Sequence, residues 1–435
     1  MREKFYLHLA AMVLLALLSF TCKKEPPPAV QMPTLALEAL DASCTEVWLK
    51  ATTTQLPATV RLVSLTPTAQ TKQTLRLITP DTILIDEGLL PSQTYSYQLQ
   101  RLADNSAVVE TTPTVQVRTM DTTSHEGWTW EIDTVGDGAS VLYDVAIIND
   151  TLAYAVGQIY KRDSMGNWDP DAYNAAKWNG AGWELKRIPF IGSCSAVNYP
   201  PIRAIWAFSQ SNILVTNGGS IVRYDGTNAV MDCGINSLLT GAINKIYAVN
   251  PHDVYAVGNA GTIAHYDGVR WRRLESGTGA AIHDVWGGVD SQSGESTVLC
   301  VASNLAQVSD RKIIRIKQNG TTDSVAWGID RDVISIWFQA TNRLCTAGGG
   351  VFVRRPNGQW VEQTVLPLIT TERVRGQSIS DIFVTGHFGY VAYYNGSSWV
   401  LYPELAVALF YSCDYRSNTL VAVGQRSGRA VVVRM

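Results

Sequence analysis

The chain has 435 residues, of which 46% are hydrophobic and 17% are charged, and its formal net charge at pH 7 is -3. A chain of this length is expected to form about two domains. The high hydrophobic content indicates folded cores and excludes an intrinsically disordered protein. The near-neutral charge and the absence of a long basic run argue against a nucleic-acid partner.

The first 22 residues have the layout of a secretion signal. A basic start with Arg2 and Lys4 leads into the apolar run Phe5–Phe20, which is shorter than the roughly 20 residues that a membrane-spanning helix needs. Thr21 and Cys22 follow the run, and the segment resembles the signal of bacterial lipoproteins, in which such a cysteine receives the lipid and becomes the mature N-terminus. Thr21 stands where those proteins normally have Gly, Ala or Ser, so an ordinary cleaved signal with an incidental cysteine is the alternative.

A charged tether that contains prolines follows at residues 23–33, and prolines stiffen such segments. The tether resembles the export signal of surface lipoproteins. The resemblance implies a surface-exposed protein at the outer membrane, held to the membrane by its lipid.

Short alternating strands separated by turn residues occupy residues 34–120, and this pattern predicts a β-sandwich. The run Leu89–Tyr97 resembles the turn of fibronectin type III domains, in which a tyrosine bonds back to the upstream backbone. The resemblance implies a spacer or binding module, with Tyr95 as the corner residue. Another small immunoglobulin-like sandwich is the alternative. The polar residues 121–127 are predicted to be a linker.

Residues 128–435 contain a repeat with three markers in a fixed order. The first is a strand that ends in an aromatic residue, as at Trp206, Tyr247, Trp286 and Trp337. The second is an apolar strand that closes on glycine, and it occurs seven times when the degenerate copy Val301–Ser303 is included. The third is a strand that runs into an Asn-Gly or Asp-Gly turn, often followed by Trp. Its six glycines lie at positions 180, 226, 268, 320, 358 and 396.

The intervals between these glycines are 46, 42, 52, 38 and 38 residues, which is typical of β-propeller blades with four strands each. Asn-Gly and Asp-Gly favour the positive φ angles of type I′ turns. The glycine after the second strand permits a tight connection, and the tryptophan can pack between neighbouring sheets. A β-helix is the structural alternative, but its repeats are much shorter. The sequence therefore predicts an all-β chain with a fibronectin III-like sandwich followed by a seven-bladed propeller.

The two ends of the repeat region are expected to pair. Seven second-strand markers against six turns leave the last repeat one outer strand short at Met435. The run Trp128–Thr134 is an outer strand that precedes the first complete repeat. We therefore expect residues 128–134 to pair with residues 429–434 and to close the ring, which removes exposed strand edges.

The repeats resemble those of bacterial surface propellers labelled as glucosyltransferases, and more loosely those of photosystem assembly factors and sialidase-like proteins. The resemblance covers residues 128–435 and implies the fold much more than an activity. The run Tyr266–Trp271 is similar to the Asp-box turn of sialidases, so a glycosidase with acids near the channel is the alternative function. Asp144, Asp284 and Asp330 are the carboxylates that could serve it.

Other chemistry has no support in the sequence. The histidines lack ligand spacing such as HExxH, no phosphate-binding glycine loop stands between a strand and a helix, and the cysteines after Cys22 form no CxxC motif. We therefore expect no cofactor, no metal and no catalytic residue. Export permits disulfide bonds, and Cys194 with Cys233, on adjacent repeats, is the first pair to test.

Binding residues are expected near the central channel, because the innermost propeller strands border it. Eight candidates belong to the first strands of the repeats: Arg203, Trp206, Lys245, Tyr247, His283, Asp284, Trp286 and Trp337. For the aromatic candidates, packing between blades is the alternative. The sequence as a whole predicts a non-enzymatic, monomeric surface lipoprotein that recognises a protein or a glycan through a propeller face.

Overall fold

The computed structural model describes residues 34–124, 127–191, 197–304, 310–405 and 408–435. The predicted lipidation site Cys22 and the candidate disulfide residue Cys194 lie outside these ranges, and Cys233 has an exposed, free thiol. The described chain is all-β, as predicted, and none of its helices is long and apolar enough to cross a membrane. Its helices are three short 3₁₀ segments at Cys233–Leu238, His387–Gly389 and Pro403–Leu405.

Eight strands in two sheets form the first unit. They are β1 (Leu35–Ala42), β2 (Glu46–Thr53), β3 (Ala58–Ser64), β4 (Gln70–Leu77), β5 (Asp81–Glu87), β6 (Thr94–Leu102), β7 (Val108–Thr111) and β8 (Val115–Arg118). One sheet has the order β1-β2-β5, and the other has the order β4-β3-β6-β7 with β8 also paired to β6. All neighbouring strands run antiparallel. Among the described strands, β1 and β5 are therefore the edges of the first sheet.

The core of this sandwich lies between the two sheets. Alternate residues such as Leu49 on β2 and Tyr97 and Leu99 on β6 are buried there, as the two-residue period of a strand requires. The backbone N–H of Leu90 donates to the hydroxyl oxygen of Tyr95 at 2.9 Å. This hydrogen bond holds the turn before β6 against the strand that follows it.

Seven four-stranded antiparallel sheets follow in the described residues, and we number them 1 to 7 in chain order. From the innermost strand outward, sheet 1 has β10 (Val141–Asn149), β11 (Leu152–Ile159), β12 (Tyr173–Trp178) and β13 (Trp183–Lys186); sheet 2 has β16 (Ala204–Ser209), β17 (Asn212–Thr216), β18 (Ile221–Tyr224) and β19 (Ala229–Asp232); and sheet 3 has β20 (Ile243–Asn250), β21 (Asp253–Gly258), β22 (Ile263–Tyr266) and β23 (Trp271–Arg273). In the same order, sheet 4 has β24 (Ala281–Val289), β25 (Ser296–Ser303), β26 (Arg311–Ile316) and β27 (Thr322–Val325), and sheet 5 has β28 (Val333–Trp337), β29 (Leu344–Gly348), β30 (Gly350–Arg354) and β31 (Trp360–Glu362). Sheet 6 has β32 (Thr371–Ser378), β33 (Asp381–Gly386), β34 (Val391–Tyr394) and β35 (Trp399–Leu401), and sheet 7 has β36 (Leu409–Arg416), β37 (Thr419–Arg426), β38 (Arg429–Arg434) and β9 (Glu131–Val135). A small ribbon of β14 (Phe190–Ile191) and β15 (Val197–Asn198) lies between sheets 1 and 2 in the sequence.

The innermost strands of successive sheets contact each other around a ring. β10, β16, β20, β24, β28, β32 and β36 touch in this order, and β36 touches β10 again. Sheet 7 takes its outermost strand from the start of the repeat region, because β9 pairs antiparallel to β38 with Val135 opposite Ala430. Trp128 and Trp130 pack against the core of the same sheet. The two ends of the repeat region are thus joined within one sheet.

A β-bulge in the innermost strand explains the glycine that ends the second strand. In five sheets the residue before the bulge pairs with this glycine, at positions 157, 258, 348, 386 and 424. A Cβ atom on any of these glycines would lie 1.7 to 2.4 Å from a backbone carbonyl oxygen at the start of the innermost strand. The neighbouring strand, more than the connection that follows, therefore requires glycine here.

The Asn-Gly and Asp-Gly turns differ from the predicted type I′ geometry. All six glycines have φ angles between 80° and 95°, but the Asn or Asp before each of them, all within the described ranges, has no positive φ. A type I′ turn needs a positive φ at both central residues. In the structure the Asx side chain is an acceptor instead, as where Asp267 Oδ1 accepts the backbone N–H groups of Val269 and Arg270 at 3.0 and 2.9 Å. The turn therefore depends on a side-chain hydrogen bond as well as on glycine.

The tryptophan after the turn links neighbouring sheets, as predicted. Trp271 Nε1 donates to Asp232 Oδ2 of the preceding sheet at 2.9 Å. Trp360 Nε1 donates to the carbonyl oxygen of Ala326, again in the preceding sheet, at 2.8 Å. These indole groups therefore join the outer strands around the ring.

We expect Gly258→Ala to destabilise the fold by about 1 to 3 kcal/mol or more, because the new methyl group would lie 2.0 Å from the carbonyl oxygen of Ala242. Gly279→Ala is the control, since no atom lies within 4 Å of a Cβ built at that position. Urea unfolding followed by tryptophan fluorescence measures both variants. Equal unfolding midpoints for the two variants would contradict the close-approach explanation.

Candidate functional site: the central channel and the hairpin face

In six sheets the residue that follows the bulge holds the same position in the innermost strand. Ala204 holds it in sheet 2, and we call this position the network position. In five sheets it pairs with the residue directly before the glycine that ends the second strand. In sheets 2 and 4 it pairs with the residue directly before Asn217 and Ala302, which take the place of that glycine. All seven side chains at this position are buried. In order of sheets 1 to 7 they are Asp144, Ala204, Lys245, Asp284, Ser335, Arg373 and Ser412. Because the innermost strands surround the channel, these side chains meet at its centre.

Asp144 is the acceptor on one side of the channel. Lys245 Nζ lies 2.5 and 2.7 Å from its two carboxylate oxygens. Ser412 Oγ donates to it at 2.7 Å, and the backbone N–H of Ile205 donates at 3.0 Å. One carboxylate thus connects sheet 1 to sheets 2, 3 and 7.

Asp284 is the acceptor on the other side. Arg375 binds it through both Nη atoms, at 2.9 and 3.0 Å, in the bidentate geometry that suits a carboxylate. Arg373 Nη1 forms a second ion pair with it at 3.0 Å. Ser335 Oγ donates to it at 2.5 Å and the backbone N–H of Ile336 at 3.2 Å. This carboxylate connects sheet 4 to sheets 5 and 6.

The two clusters form a single network. Arg373 Nε donates to Ser412 Oγ at 3.3 Å, and Ser412 in turn donates to Asp144. Two carboxylates therefore share three cations, Lys245, Arg373 and Arg375, in one buried layer. Every sheet of the ring contributes a donor or an acceptor to this layer, so the network ties the seven sheets together.

The network keeps its carboxylates ionised. Burial alone would raise the pKa of the Asp144 carboxyl, but the Lys245 ammonium and the Arg373 guanidinium outweigh it and lower that pKa below its ordinary value. Burial is outweighed in the same way at Asp284, where Arg375 and Arg373 hold the carboxyl pKa far below its usual range. Neither side chain can therefore act as a general acid near neutral pH.

The three acids considered for glycoside hydrolysis do not form a catalytic pair. Such a pair needs one protonated carboxyl and one free carboxylate flanking the scissile bond, whereas Asp144 and Asp284 are both ionised and occupied. Asp330 lies apart in an ion pair with Arg311 at 2.5 Å, and its side chain is 83% exposed. Among the described residues, no group of three or more His, Cys, Asp or Glu side chains is placed to hold a metal ion.

An aromatic cluster lies at one mouth of the channel. We call the side of the ring on which the innermost strands end the hairpin face, because the turns after the first and third strands of each sheet lie there. Two residues beyond the network position, the partly exposed rings of Trp206, Tyr247 and Trp286 meet at this face. Tyr247 lies 4.9 Å from Trp206 and 5.5 Å from Trp286 between ring centroids. Within the described residues, the buried Nε1 of Trp206 has no hydrogen-bond acceptor.

Charged side chains complete this mouth. The Arg375 guanidinium lies 4.6 Å from the centre of the Trp286 ring, a cation–π distance. Asp414 accepts the backbone N–H of Ile147 at 2.8 Å. The opening that these residues line with Arg416 has a volume of about 20 Å³, which is room for about one water molecule. The channel is therefore closed to a substrate from this side.

The other predicted binding residues lie elsewhere. Arg203 and His283 come directly before the network position and lie at the opposite mouth, where Arg203 stacks 4.4 Å from the ring centre of Tyr143. His283 Nε2 lies 2.9 Å from the carbonyl oxygen of Ser303. Trp337 is 3% exposed and packs in the core between sheets 5 and 6. The eight predicted residues thus occupy four environments: the network, the aromatic cluster, the opposite mouth and a core.

Sequence analysis did not find Arg373 and Arg375, although they neutralise Asp284. Their strand β32 lacks the aromatic residue by which four of the first strands were recognised. An alignment of the repeats on the second-strand glycine, Gly386 in this sheet, would have placed Arg373 level with Lys245.

The sandwich contacts the hairpin face at sheets 5 and 6. Glu46 accepts hydrogen bonds from Arg355 Nη2 at 2.8 Å and Nε at 3.1 Å, and Glu87 forms a further ion pair with Arg355. The Sγ of Cys44 approaches the turn of sheet 6 so closely that a Cβ on Gly396 would lie 2.3 Å from it. Ion pairs and close packing therefore hold the sandwich against this face.

No protein-family model and no curated protein sequence matches the chain. Among solved structures it is similar to YCF48 bound to D1 peptide, with a TM-score of 0.52 and 14% identity over 72% of this chain and 96% of that chain. It is also similar to YCF48 from Cyanidioschyzon merolae, with a TM-score of 0.51 and 14% identity over 70% of this chain and 98% of that chain. The WD40 β-propeller domain of Doa1 has a TM-score of 0.48 at 12% identity, over 70% and 96% of the two chains. The structural neighbours of this chain are thus β-propeller proteins, and at these sequence identities the likeness shows the fold alone.

We expect Asp284→Ala to lower the free energy of unfolding by about 3 to 5 kcal/mol, because it leaves Arg373 and Arg375 buried without their carboxylate. Asp330→Ala is the matched control, since its carboxylate is 83% exposed and pairs only with Arg311; it should change stability by less than about 1 kcal/mol. Chemical denaturation compares the two variants. Similar losses in both would contradict a structural role for the network.

Acid should destabilise the protein through the same carboxylates. Because the pKa values of Asp144 and Asp284 are lowered in the folded state, their stabilisation is complete above about pH 4, the unfolded value, and is lost as the pH falls below it. Asp284→Ala removes one of these groups, so its unfolding temperature should fall less steeply between about pH 4 and about pH 2. Thermal unfolding at a series of pH values tests this, and parallel curves for wild type and variant would count against it.

Proposed function

We propose that the chain is a non-enzymatic binding protein of the cell surface that recognises a protein segment through the hairpin face of its propeller. The aromatic cluster of Trp206, Tyr247 and Trp286 carries the proposal. Tryptophan and tyrosine at the centre of a rigid face are the residue types that dominate binding energy in protein interfaces.

The fold supports this proposal, because it is a rigid scaffold for the aromatic cluster. Three neighbouring sheets supply the three rings from equivalent positions, and the buried network beneath them holds those strands in place. The structure similar to this chain that is described as YCF48 bound to D1 peptide is a propeller with a peptide ligand. For this chain, that likeness supports a peptide or protein ligand without identifying it.

A sialidase-like glycosidase is the weaker candidate. Its acids would have to come from Asp144 and Asp284, which the network occupies. The mouth of the central channel at the hairpin face has a volume of about 20 Å³, which does not admit a sugar ring.

The proposal also covers the cellular location of the protein and the role of its N-terminal residues. In it, residues 1–22 export the chain, Cys22 carries a lipid at the outer membrane, and residues 23–33 tether the folded part. Residues 34–120 then serve as a fibronectin type III-like spacer. The strand order β1-β2-β5 opposite β4-β3-β6 and the hydrogen bond between Leu90 and Tyr95 support that assignment.

The binding role can be tested on arrays of peptides, folded proteins and glycans probed with the full chain in detergent. We expect a ligand among the proteins or peptides, and we expect the double variant Trp206→Ala, Tyr247→Ala to weaken it roughly 30-fold or more, as hot-spot residues do. Trp168→Ala is the control, because this exposed tryptophan belongs to a loop at the opposite face. Turnover of a glycoside that Asp284→Asn abolishes would instead establish the enzyme.

The lipid anchor can be tested separately by substituting Cys22→Ser. We expect the wild-type chain to partition into the detergent phase and the variant to remain in the aqueous phase, because an acyl chain contributes about 0.8 kcal/mol of membrane affinity per buried CH₂ group. Triton X-114 phase separation of cell extracts measures the difference. Unchanged partition of the variant would show that Cys22 does not carry the anchor.

A further inference from the structure

A cleft of about 980 Å³ separates the sandwich from the hairpin face of sheets 4 and 5. Its sandwich wall includes Leu40 and Trp48, and its propeller wall includes the turn Asp290–Gln292, the outer strand β27 and Arg354. The volume is at the upper end of the range for ligand pockets. The ion pairs of Arg355 with the sandwich hold the two walls together.

Arg354 departs from the repeat. Arg354 is the third-strand residue that pairs with Leu344, which lies three residues before Ala347, the second-strand partner of the network residue Ser335. The residue at the equivalent place is aromatic or apolar in the other six sheets. In order of sheets 1 to 7 these residues are Trp178, Tyr224, Tyr266, Ile316, Arg354, Tyr394 and Met435. In three sheets the tyrosine hydroxyl donates to the carbonyl oxygen of the turn glycine. Sheet 5 has a cation in the place of that structural side chain.

This cation has no partner in the part of the chain that the structure describes. Arg354 is only partly exposed, and its Nε is buried without a hydrogen-bond acceptor. Burial and the nearby Arg315 guanidinium lower its pKa below the ordinary value, which is the effect expected of a cation without a counter-charge. Arg315 itself is occupied by Asp323, at 2.8 Å through two nitrogens.

The acids that line the cleft, Glu38, Asp41, Asp81 and Asp290, form no ion pair with Arg354 in the described residues. Asp81 pairs with Lys50 at 3.5 Å. Asp290 Oδ1 accepts the backbone N–H groups of its own turn at 2.9 and 3.0 Å. A half-buried cation without a counter-charge in a cleft of this size is suited to an anionic group supplied by a ligand.

The walls of the cleft favour a peptide as the carrier of that group. Two edge strands border it, β5 through Asp81–Ile83 and β27 through Ser324 and Val325. Within the described sheets each of these strands pairs with one neighbour only, so each has backbone groups on its free edge. An extended peptide can pair with such an edge by adding a strand to the sheet, and a sugar chain has no amide backbone for this pairing.

We infer that the cleft between the sandwich and the propeller binds an extended peptide segment, and that the Arg354 guanidinium takes a carboxylate of that segment. The inference rests on the proposed protein-binding function and adds to it a second contact site and a ligand chemistry. The aromatic cluster and the cleft share the hairpin face, since the innermost strand that bears Trp286 continues into the turn Asp290–Gln292.

The probe is an array of random octapeptides presented to the full chain in detergent. We expect the bound peptides to share Asp or Glu at one position. One selected peptide and its Glu-to-Gln analogue are then titrated by fluorescence anisotropy against wild type and variants. Arg354→Tyr introduces the residue that three other sheets have at this position and should fold normally. We expect it to weaken binding of the acidic peptide about 10- to 100-fold, as loss of a charge-assisted hydrogen bond does. The same variant should leave the affinity of the Gln analogue unchanged.

Arg270→Gln is the control for loss of an arginine, because Arg270 is exposed in the turn of sheet 3, outside the cleft lining. Equal binding of the acidic peptide by wild type and Arg354→Tyr, or equal affinity for both peptides, would overturn the inference. If in that case the double variant Trp206→Ala, Tyr247→Ala still weakened peptide binding, the proposed function at the aromatic cluster would stand and only the role of the cleft would be lost. Binding of uronic-acid oligosaccharides that depends on Arg354, or binding of no peptide at all, would also overturn it.

Discussion

The close approach between a bulge in the innermost strand and a glycine of the second strand is the constraint on which the ring depends. The bulge inserts one residue, and because side chains alternate along a strand, a shift of one residue exchanges the two faces. It thereby decides which side chain enters the channel. Repeated in six of the seven sheets, it places Asp144, Lys245, Asp284 and their counterparts in a single layer.

That layer would be costly if any charge in it lacked a partner. The structure avoids this cost by giving each carboxylate several donors, from side chains and from the backbone N–H of the next sheet. The consequence for function is direct. Groups that are saturated and ionised cannot transfer protons, so the centre of the ring holds the sheets together, and the proposed recognition is assigned to the surface.

The hairpin face is where the repeats stop being equivalent. Three sheets place aromatic rings at its centre, and two others contact the sandwich. Sheet 5 has Arg354 where all six other sheets have an aromatic or apolar residue. The sandwich contributes a second wall to this face through contacts centred on Glu46 and Arg355. A rigid ring with one asymmetric face, partly covered by a second domain, is suited to selecting one ligand by shape and charge.

The repeat markers alone predicted an all-β chain and the number of sheets, because a glycine at a bulge and a glycine in a turn are required by local geometry and recur in most of the repeats. The sequence also identified Trp206, Tyr247 and Trp286, since each holds the same place in its repeat, although the strands continue for three residues beyond them. It did not reveal that Asp284 is neutralised by Arg375, 91 residues away, because that contact depends on which strands meet across the ring. Only the tertiary structure therefore decided which charges cancel each other, and which one, Arg354, is left facing a cleft.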